Sequence, residues 1–305
     1  LNEKHPGYNV ESWRTIIRDI RGAIGGPKRK INSKRSEFFR EPQDPAVVGK
    51  QYAINPVTLR TEDFILQHSN VLILSDIHLP YHDLDAVVMA VNYGIENKCD
   101  AILLNGDVID FYQLSRFTKS STMATLLTER DMYFEFIRYL QDTTGLPIYH
   151  KLGNHEERYA NYIRQQAPVL EQIPDLAIDK FLKMQESGVV MIEGRQKIKL
   201  GNLTVIHGHE GGESIFSPVN PARGAFLKYK ANVLAGHNHQ TSSHFESTLD
   251  GTLIGCWSTG CLCQLTPEYR PFAYTKWNHG FAHVEVKEDG SFTVNNKQII
   301  DKKIY

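Results

Sequence analysis

The sequence predicts an α/β fold. Short aliphatic runs recur from about residue 70 onward, segments with helical spacing separate them, and two alternating runs follow near the end. The runs are "VLILSD" (71–76), "AILLNGD" (101–107), "LPIYHKLG" (146–153), "LTVIHG" (203–208) and "NVLAGH" (232–237). Each is rich in aliphatic or β-branched residues, as suits strands buried on both faces. Asp85 to Asn97 and Ala124 to Leu140 combine helical spacing with good helix formers. Strands alternating with helices place the chain among α/β proteins. After residue 242, "TLIGCWSTG" and "FAHVEVKEDGSFTV" read as antiparallel strands, the second with a Glu-Asp-Gly turn at 288–290.

At 305 residues the chain can form one large domain or two smaller ones, on a prior of roughly 150 residues per domain. A formal net charge of -1 excludes a global pull toward nucleic acid or acidic membrane, so any such attraction has to be local. No apolar run approaches the roughly 18 residues of a membrane span, and the opening "LNEKHPGYNV" lacks the apolar core of a signal peptide. The expectation is a cytoplasmic protein without membrane attachment. Cys99, Cys256, Cys261 and Cys263 are too few and too unevenly placed for a disulfide framework, and they lack the spacing of a zinc knuckle. Buried, inert thiols are the preferred reading.

Residues 1–50 differ from the rest. A short helix is expected from Trp13 to Ile24, followed by "GGP" and the basic residues Lys28, Arg29, Lys30, Lys34 and Arg35. A flexible arm or linker is the preferred reading, and an arm that binds nucleic acid is the sharper alternative. Residues 51–305 are then expected to form one domain.

Each of the five apolar runs ends in residues of metal-ligand type. They are Asp76-Ile77-His78, Gly106-Asp107-Val108-Ile109-Asp110, Gly153-Asn154-His155-Glu156, His207-Gly208-His209 and Gly236-His237-Asn238-His239. On an extended backbone, residues two apart project to the same side, which pairs Asp76 with His78 and His237 with His239. Any one cluster has an ordinary explanation as a helix cap or turn. Five in a row do not. Carboxyl ends of strands are where open α/β sheets bind ligands, so the clusters are expected to meet at one sheet edge. Mixed carboxylate, amide and imidazole donors suit borderline divalent ions better than magnesium or calcium: manganese first, with iron or zinc as alternatives.

The order "DIH", "GDVID", "GNHE", "HGH", "GHNH" closely resembles the calcineurin-like metallophosphoesterase superfamily across residues 76–239. The resemblance implies a four-layer sandwich of two mixed β-sheets flanked by helices. It implies two divalent ions, one held by Asp76, His78 and His239, the other by Asn154, His207 and His237, with Asp107 bridging them and His155 as the catalytic histidine. Two such ions can share a hydroxide and clamp a phosphoryl group during in-line displacement, and His155 can protonate the departing oxygen. Asp110 fits equally a carboxylate that orients a ligand imidazole and a helix cap. For His209, direct ligation, support of a ligand and phosphate contact all stay open.

The substrate is less legible. Phe111-Tyr112 stands where protein phosphatases of the superfamily carry Arg-Gly, and His155 where its lipid-precursor pyrophosphatases carry Arg. The pattern "WSTGCLCQLTPEYRP" followed by "WNHGFAHVEV" resembles phage and bacterial members. Residues 157–190, with Arg158, Tyr159, Tyr162 and Arg164, read as either a cap over the metals or an ordinary surface helix. Arg223, in the loop "SPVNPARGAF", is a candidate phosphate contact beside Arg158 and His209. The leading expectation is a phosphodiesterase acting on nucleic acid or nucleotide. A phosphomonoesterase, or a metal-binding scaffold without turnover, are the alternatives.

Overall fold

The computed structural model describes residues 10–20, 44, 47, 62–116, 123–212, 219–267 and 274–305. The chain divides into two units, residues 1–60 and 61–305. In the first, helix α1 spans Val10–Ile20 and takes in most of the helix expected from Trp13 onward. Lys28, Arg29, Lys30, Lys34 and Arg35 lie outside the described residues.

The second unit contains, in chain order, β1 (Phe64–Ile65), β2 (Asn70–Leu74), β3 (Ala101–Asn105), β4 (Ile148–Lys151), β5 (Val189–Ile192), β6 (Ile198–Leu200) and β7 (Leu203–Ile206). It continues through β8 (Val233–Ala235), β9 (Ser242–Ser247), β10 (Leu253–Ser258), β11 (His279–Val286), β12 (Phe292–Ile300) and β13 (Lys303–Ile304). Its helices are α2 (Leu84–Glu96), α3 (Leu126–Thr144), α4 (Asn154–Gln166), α5 (Ile178–Phe181) and α6 (Pro221–Tyr229). One sheet has the order β13-β12-β11-β2-β3-β4-β5 and the other β1-β6-β7-β8-β10-β9. Strands β2 to β5 are mutually parallel and β11 joins β2 antiparallel, so the larger sheet is mixed. In the smaller sheet β7, β8 and β10 are parallel, with β9 antiparallel on the outside.

Alternation along the strands builds the layers. Val71, Ile73 and Leu103 point into the space between the sheets, where they meet Leu203, Val205, Leu234 and Trp257. Their neighbours Leu72, Leu74, Ile102 and Leu104 point the other way, onto Val87, Ala90 and Val91 of α2 and Tyr133, Ile137 and Leu140 of α3. On the far side Ala222 and Phe226 of α6 cover Ile206, Val233, Ala235 and Cys256. The result is helix, sheet, sheet, helix. Both faces of β2 and β3 are buried, which explains why their sequences are unbroken apolar runs. Each large aliphatic side chain so buried contributes about 1.5–3 kcal/mol.

Helix boundaries follow local chemistry. Asp83 caps α2 by accepting from the Ala86 N–H at 2.9 Å, and Thr125 caps α3 by accepting from Thr128 at 3.2 Å. In residues 157–190, Tyr159 stacks on Phe181 at 4.9 Å between ring centroids, and Leu182 and Met184 are buried in the helix-covered core. Two expectations need correction. The strand-end clusters come from two sheets rather than one edge, since β2, β3 and β4 belong to the larger sheet and β7 and β8 to the smaller. The run "TLIGCWSTG" is antiparallel to β9 but parallel to β8, because β10 lies between them.

Polar ties join the sheets at the end where the clusters lie. The Asn105 side-chain amide donates to the Ile206 carbonyl at 2.8 Å, and the buried Lys151 ammonium pairs with Glu210 at 3.0 Å. Nearby, Glu129 of α3 is fully buried and accepts the Tyr112 N–H at 3.1 Å. Burial and the neighbouring Asp110 push its carboxyl up to about 8. The folded state therefore holds a proton that the unfolded chain has lost, and stability falls as pH rises from the ordinary carboxyl range toward 8. Urea midpoints measured from about pH 5 to about pH 8 should decline less in Glu129→Gln than in the wild type.

Candidate metal centre

The cluster residues sit just beyond strand ends, where the chain bends sharply. Asp76, His78, Asp107, His237 and His239 all adopt left-handed backbone conformations, with φ from 53° to 67°. Such a conformation is uncommon outside glycine, although aspartate and histidine enter it more readily than most residues, and five together mark a site built from tight turns. Gly106, at φ 84°, lies against the His207 ring so closely that a β-carbon there would collide with Nδ1. Gly236 leaves room in the same way for Ser75 Oγ and Asp76.

These bends bring the strand ends of both sheets to one place. His78 Nε2 and His239 Nε2 approach to 3.1 Å, and His239 Nε2 lies 3.1 Å from Asp76 Oδ1. On the other side, His207 Nε2 lies 3.2 Å from Asn154 Oδ1 and 3.3 Å from Asp107 Oδ2. His237 reaches the same group: donor atoms of Asp107, His207 and His237 all lie within 4.8 Å of one another. Donor atoms of Asp76, His78 and Asp107 do so as well, which puts Asp107 in both sets. The outward nitrogens are held from behind. His78 Nδ1 donates to Asp110 Oδ2 at 3.1 Å and His207 Nδ1 to the Asn105 carbonyl at 2.8 Å, which turns each Nε2 inward. Of the two readings of Asp110, this contact matches the carboxylate that orients an imidazole.

The charges point to cations. Asp76 and Asp107 are buried, which opposes ionisation, yet the surrounding imidazoles hold both carboxyls below the usual range. Burial alone would lower His207, but Asp107 and Asp76 drive it up to about 10. Asp76 likewise raises His239 against its burial. Inward-facing imidazole and carboxylate donors, in two sets sharing one aspartate, fit a pair of divalent ions.

Around this core, His155 Nδ1 donates to the Asp110 carbonyl at 2.8 Å, while Nε2 accepts from Arg158 Nη2 at 2.8 Å. Burial lowers its pKa to about 4, against the pull of Asp107. Arg158 also donates to the Asp110 carbonyl at 2.8 Å. The His209 ring lies 5.3 Å from His207, and its Nε2 is 3.2 Å from Glu157 Oε1. Arg223 is exposed on α6, beside the cap Asn220 to which its N–H donates at 2.9 Å. Thus Asp76, His78, Asp107, Asn154, His207, His237 and His239 converge, Asp110, His155 and Arg158 adjoin them, His209 lies at the edge, and Arg223 stands on the outer helix.

The calcineurin-like phosphoesterase family model matches residues 69–254, more than half of the chain, and the chain belongs to that family. The Gene 54 protein of Mycobacterium phage L5 is 24% identical over 226 residues, covering 71% of this chain and 88% of the phage protein. Among solved structures, a dimetal phosphatase from Danio rerio aligns with a TM-score of 0.38 and 12% identity, covering 75% of this chain and 95% of that one. The nuclease MPE of Pseudomonas putida aligns with a TM-score of 0.34 and 12% identity, covering 77% and 85%.

One residue that sequence reasoning left without a role is Glu156. Its Oε2 accepts the N–H groups of Asp107 at 2.9 Å and Gly153 at 2.8 Å, and its Oε1 those of Val108 at 2.7 Å and Ile109 at 3.1 Å. One carboxylate thereby shapes both the loop after β3 and the turn before α4. The available signal was a glutamate three residues after Gly153 at a helix start, the spacing from which a side chain reaches back to the cap. Glu210, three residues after His207, plays a similar part by accepting the His207 and Gly208 N–H groups. Glu156→Ala should lower stability by about 3–5 kcal/mol, because buried N–H groups lose a charged acceptor. Urea unfolding of the metal-free variant measures this directly.

Proposed function

We propose that the protein is a dinuclear metal-dependent phosphoesterase, with manganese as the first-choice metal and phosphodiesters, nucleic acid or nucleotide among them, as substrates. The observation that carries this reading is the convergence of Asp76, His78 and His239 on one side of Asp107 and Asn154, His207 and His237 on the other. A pair of divalent ions, when bound, supplies a water nucleophile active near neutral pH and positive charge to offset that of the phosphoryl group. Asp107 reduces repulsion between the two positions by placing an anion in both donor sets. His155 has Nδ1–H committed to the Asp110 carbonyl, so proton transfer falls to Nε2, which must first release the Arg158 N–H it accepts. Arg158, partly exposed and already beside Nε2, is placed to meet an anionic oxygen and to hold His155 toward it. Four free, buried cysteines accord with a reducing, cytoplasmic setting. No helix among the described residues is long and apolar enough to cross a membrane.

Manganese-loaded protein should hydrolyse bis(p-nitrophenyl) phosphate faster than p-nitrophenyl phosphate. No turnover of either would overturn the enzyme reading and favour a metal-binding scaffold, and a preference for the monoester would favour a phosphomonoesterase. Asp107→Asn and His237→Ala should each reduce bound metal by elemental analysis and nearly abolish turnover. His155→Ala should keep its metal and lose roughly 10²–10⁴ in kcat.

The basic arm offers a separate test of the nucleic-acid reading. Removal of residues 1–45 should raise KM on single-stranded DNA or RNA and flatten its salt dependence, because fewer counterions are released. The small chromogenic diester should be cleaved as before. Equal KM and equal salt slopes would assign the arm to a linker.

A further inference from the structure

The imidazoles of the cluster are held from behind by different atoms. His78 leans on a carboxylate and His207 on a backbone carbonyl. For His239 the partners are sulfur: Nδ1 faces Cys263 Sγ at 3.8 Å, and the neighbouring Cys261 thiol also interacts with the ring and with Cys263. His239 is also fixed on its other side, where the Trp277 ring lies 4.2 Å from its own. Both Cys263 and His239 are buried, so water does not compete freely for that nitrogen. The backbone around Cys263 is itself anchored. Its carbonyl accepts from His279 Nε2 at 2.9 Å, the next residue, Gln264, donates its N–H to the Tyr81 carbonyl at 2.8 Å, and Cys263 bridges to His82. Cys263 thus stands on the segment that follows β10, outside the five strand-end clusters, yet touches one of them.

We propose that Cys263 is a positioning residue for the metal centre. Its sulfur accepts the Nδ1–H of His239, fixes the tautomer in which Nε2 carries the lone pair, and aims that lone pair at the space shared with Asp76 and His78. This inference rests on the dinuclear reading given above. Sulfur is a longer and softer acceptor than the oxygens behind His78 and His207, so this position is held less tightly than its neighbours. A second arrangement is geometrically open, because donor atoms of His78, His239 and Cys263 lie within 4.8 Å of one another. In that arrangement the thiolate would bind the metal directly. The contact with Nδ1, the outward nitrogen, favours positioning.

Calorimetric titration of the metal-free full chain with Mn²⁺ tests the proposal, with Cys263→Ser and Cys263→Ala beside the wild type. The wild type should bind two ions. Cys263→Ala should bind one of them roughly 10- to 100-fold more weakly, the usual effect of removing a group behind a ligand histidine. Cys263→Ser, which keeps an acceptor, should recover most of the loss. Should Cys263→Ala fail to fold, Cys263→Val, which also lacks an acceptor, takes its place. Fewer than two ions on the wild type would overturn the dinuclear reading itself. Two ions on the wild type and unchanged affinities in the variant without an acceptor would overturn the role of Cys263 alone, as would a serine variant no tighter than it. Cobalt-loaded wild type should lack an intense thiolate-to-metal band in the near ultraviolet. Its appearance would replace positioning with direct ligation.

Discussion

Four carboxylates lie almost wholly out of water where the two sheets meet: Asp76, Asp107, Asp110 and Glu156 are each exposed by 2% or less. A buried charge without partners is among the most costly features a fold can contain. The loops around this charge are organised to supply donors. Glu156 takes four backbone N–H groups, Asp76 takes the His237 N–H and the Ser75 hydroxyl, and Asp107 takes the His155 N–H at 2.9 Å. The turns that present those groups are the same turns that deliver the imidazoles. Satisfying the charge and assembling the centre are therefore one structural problem with one solution.

The two halves of the inter-sheet space divide the work. Along most of its length it is packed with aliphatic side chains and Trp257, which supply non-directional stabilisation. At the strand ends it turns polar, and the Asn105 amide and the Lys151–Glu210 pair hold the sheets in a defined register. Hydrophobic packing tolerates small slips between layers. Hydrogen bonds at 2.8 Å do not, and their place beside the cluster is where precision is needed.

Much of this was legible because the chemistry of each strand end is distinctive. An aspartate or histidine directly after an apolar run can be read without knowing which strand pairs with which. Sheet membership could not be read that way. "VLIL" and "LTVI" are both buried throughout, since β2 and β7 are covered on two faces, and nothing in either run records its neighbour. Glu156 was visible as part of "GNHE", but its role depends on N–H groups nearly fifty positions away in the chain. Cys263 was harder still. Its partner His239 is brought to it by the return of β10 beside β8, a pairing that periodicity does not reveal. Spacing arguments could reject a zinc knuckle there, yet they carried no information about a single thiol behind a ligand.

The left-handed backbone at Asp76, His78, Asp107, His237 and His239 also governs how this scaffold can diverge. Only glycine and a few short polar residues, asparagine, aspartate and histidine among them, enter that region readily. Replacement by asparagine or glycine can remove a donor while the turn keeps its course. A β-branched residue at the same position would disturb the turn as well as the donor. The architecture and the donor set are thus separable: substitutions at these turns can remove donors while the fold around them persists.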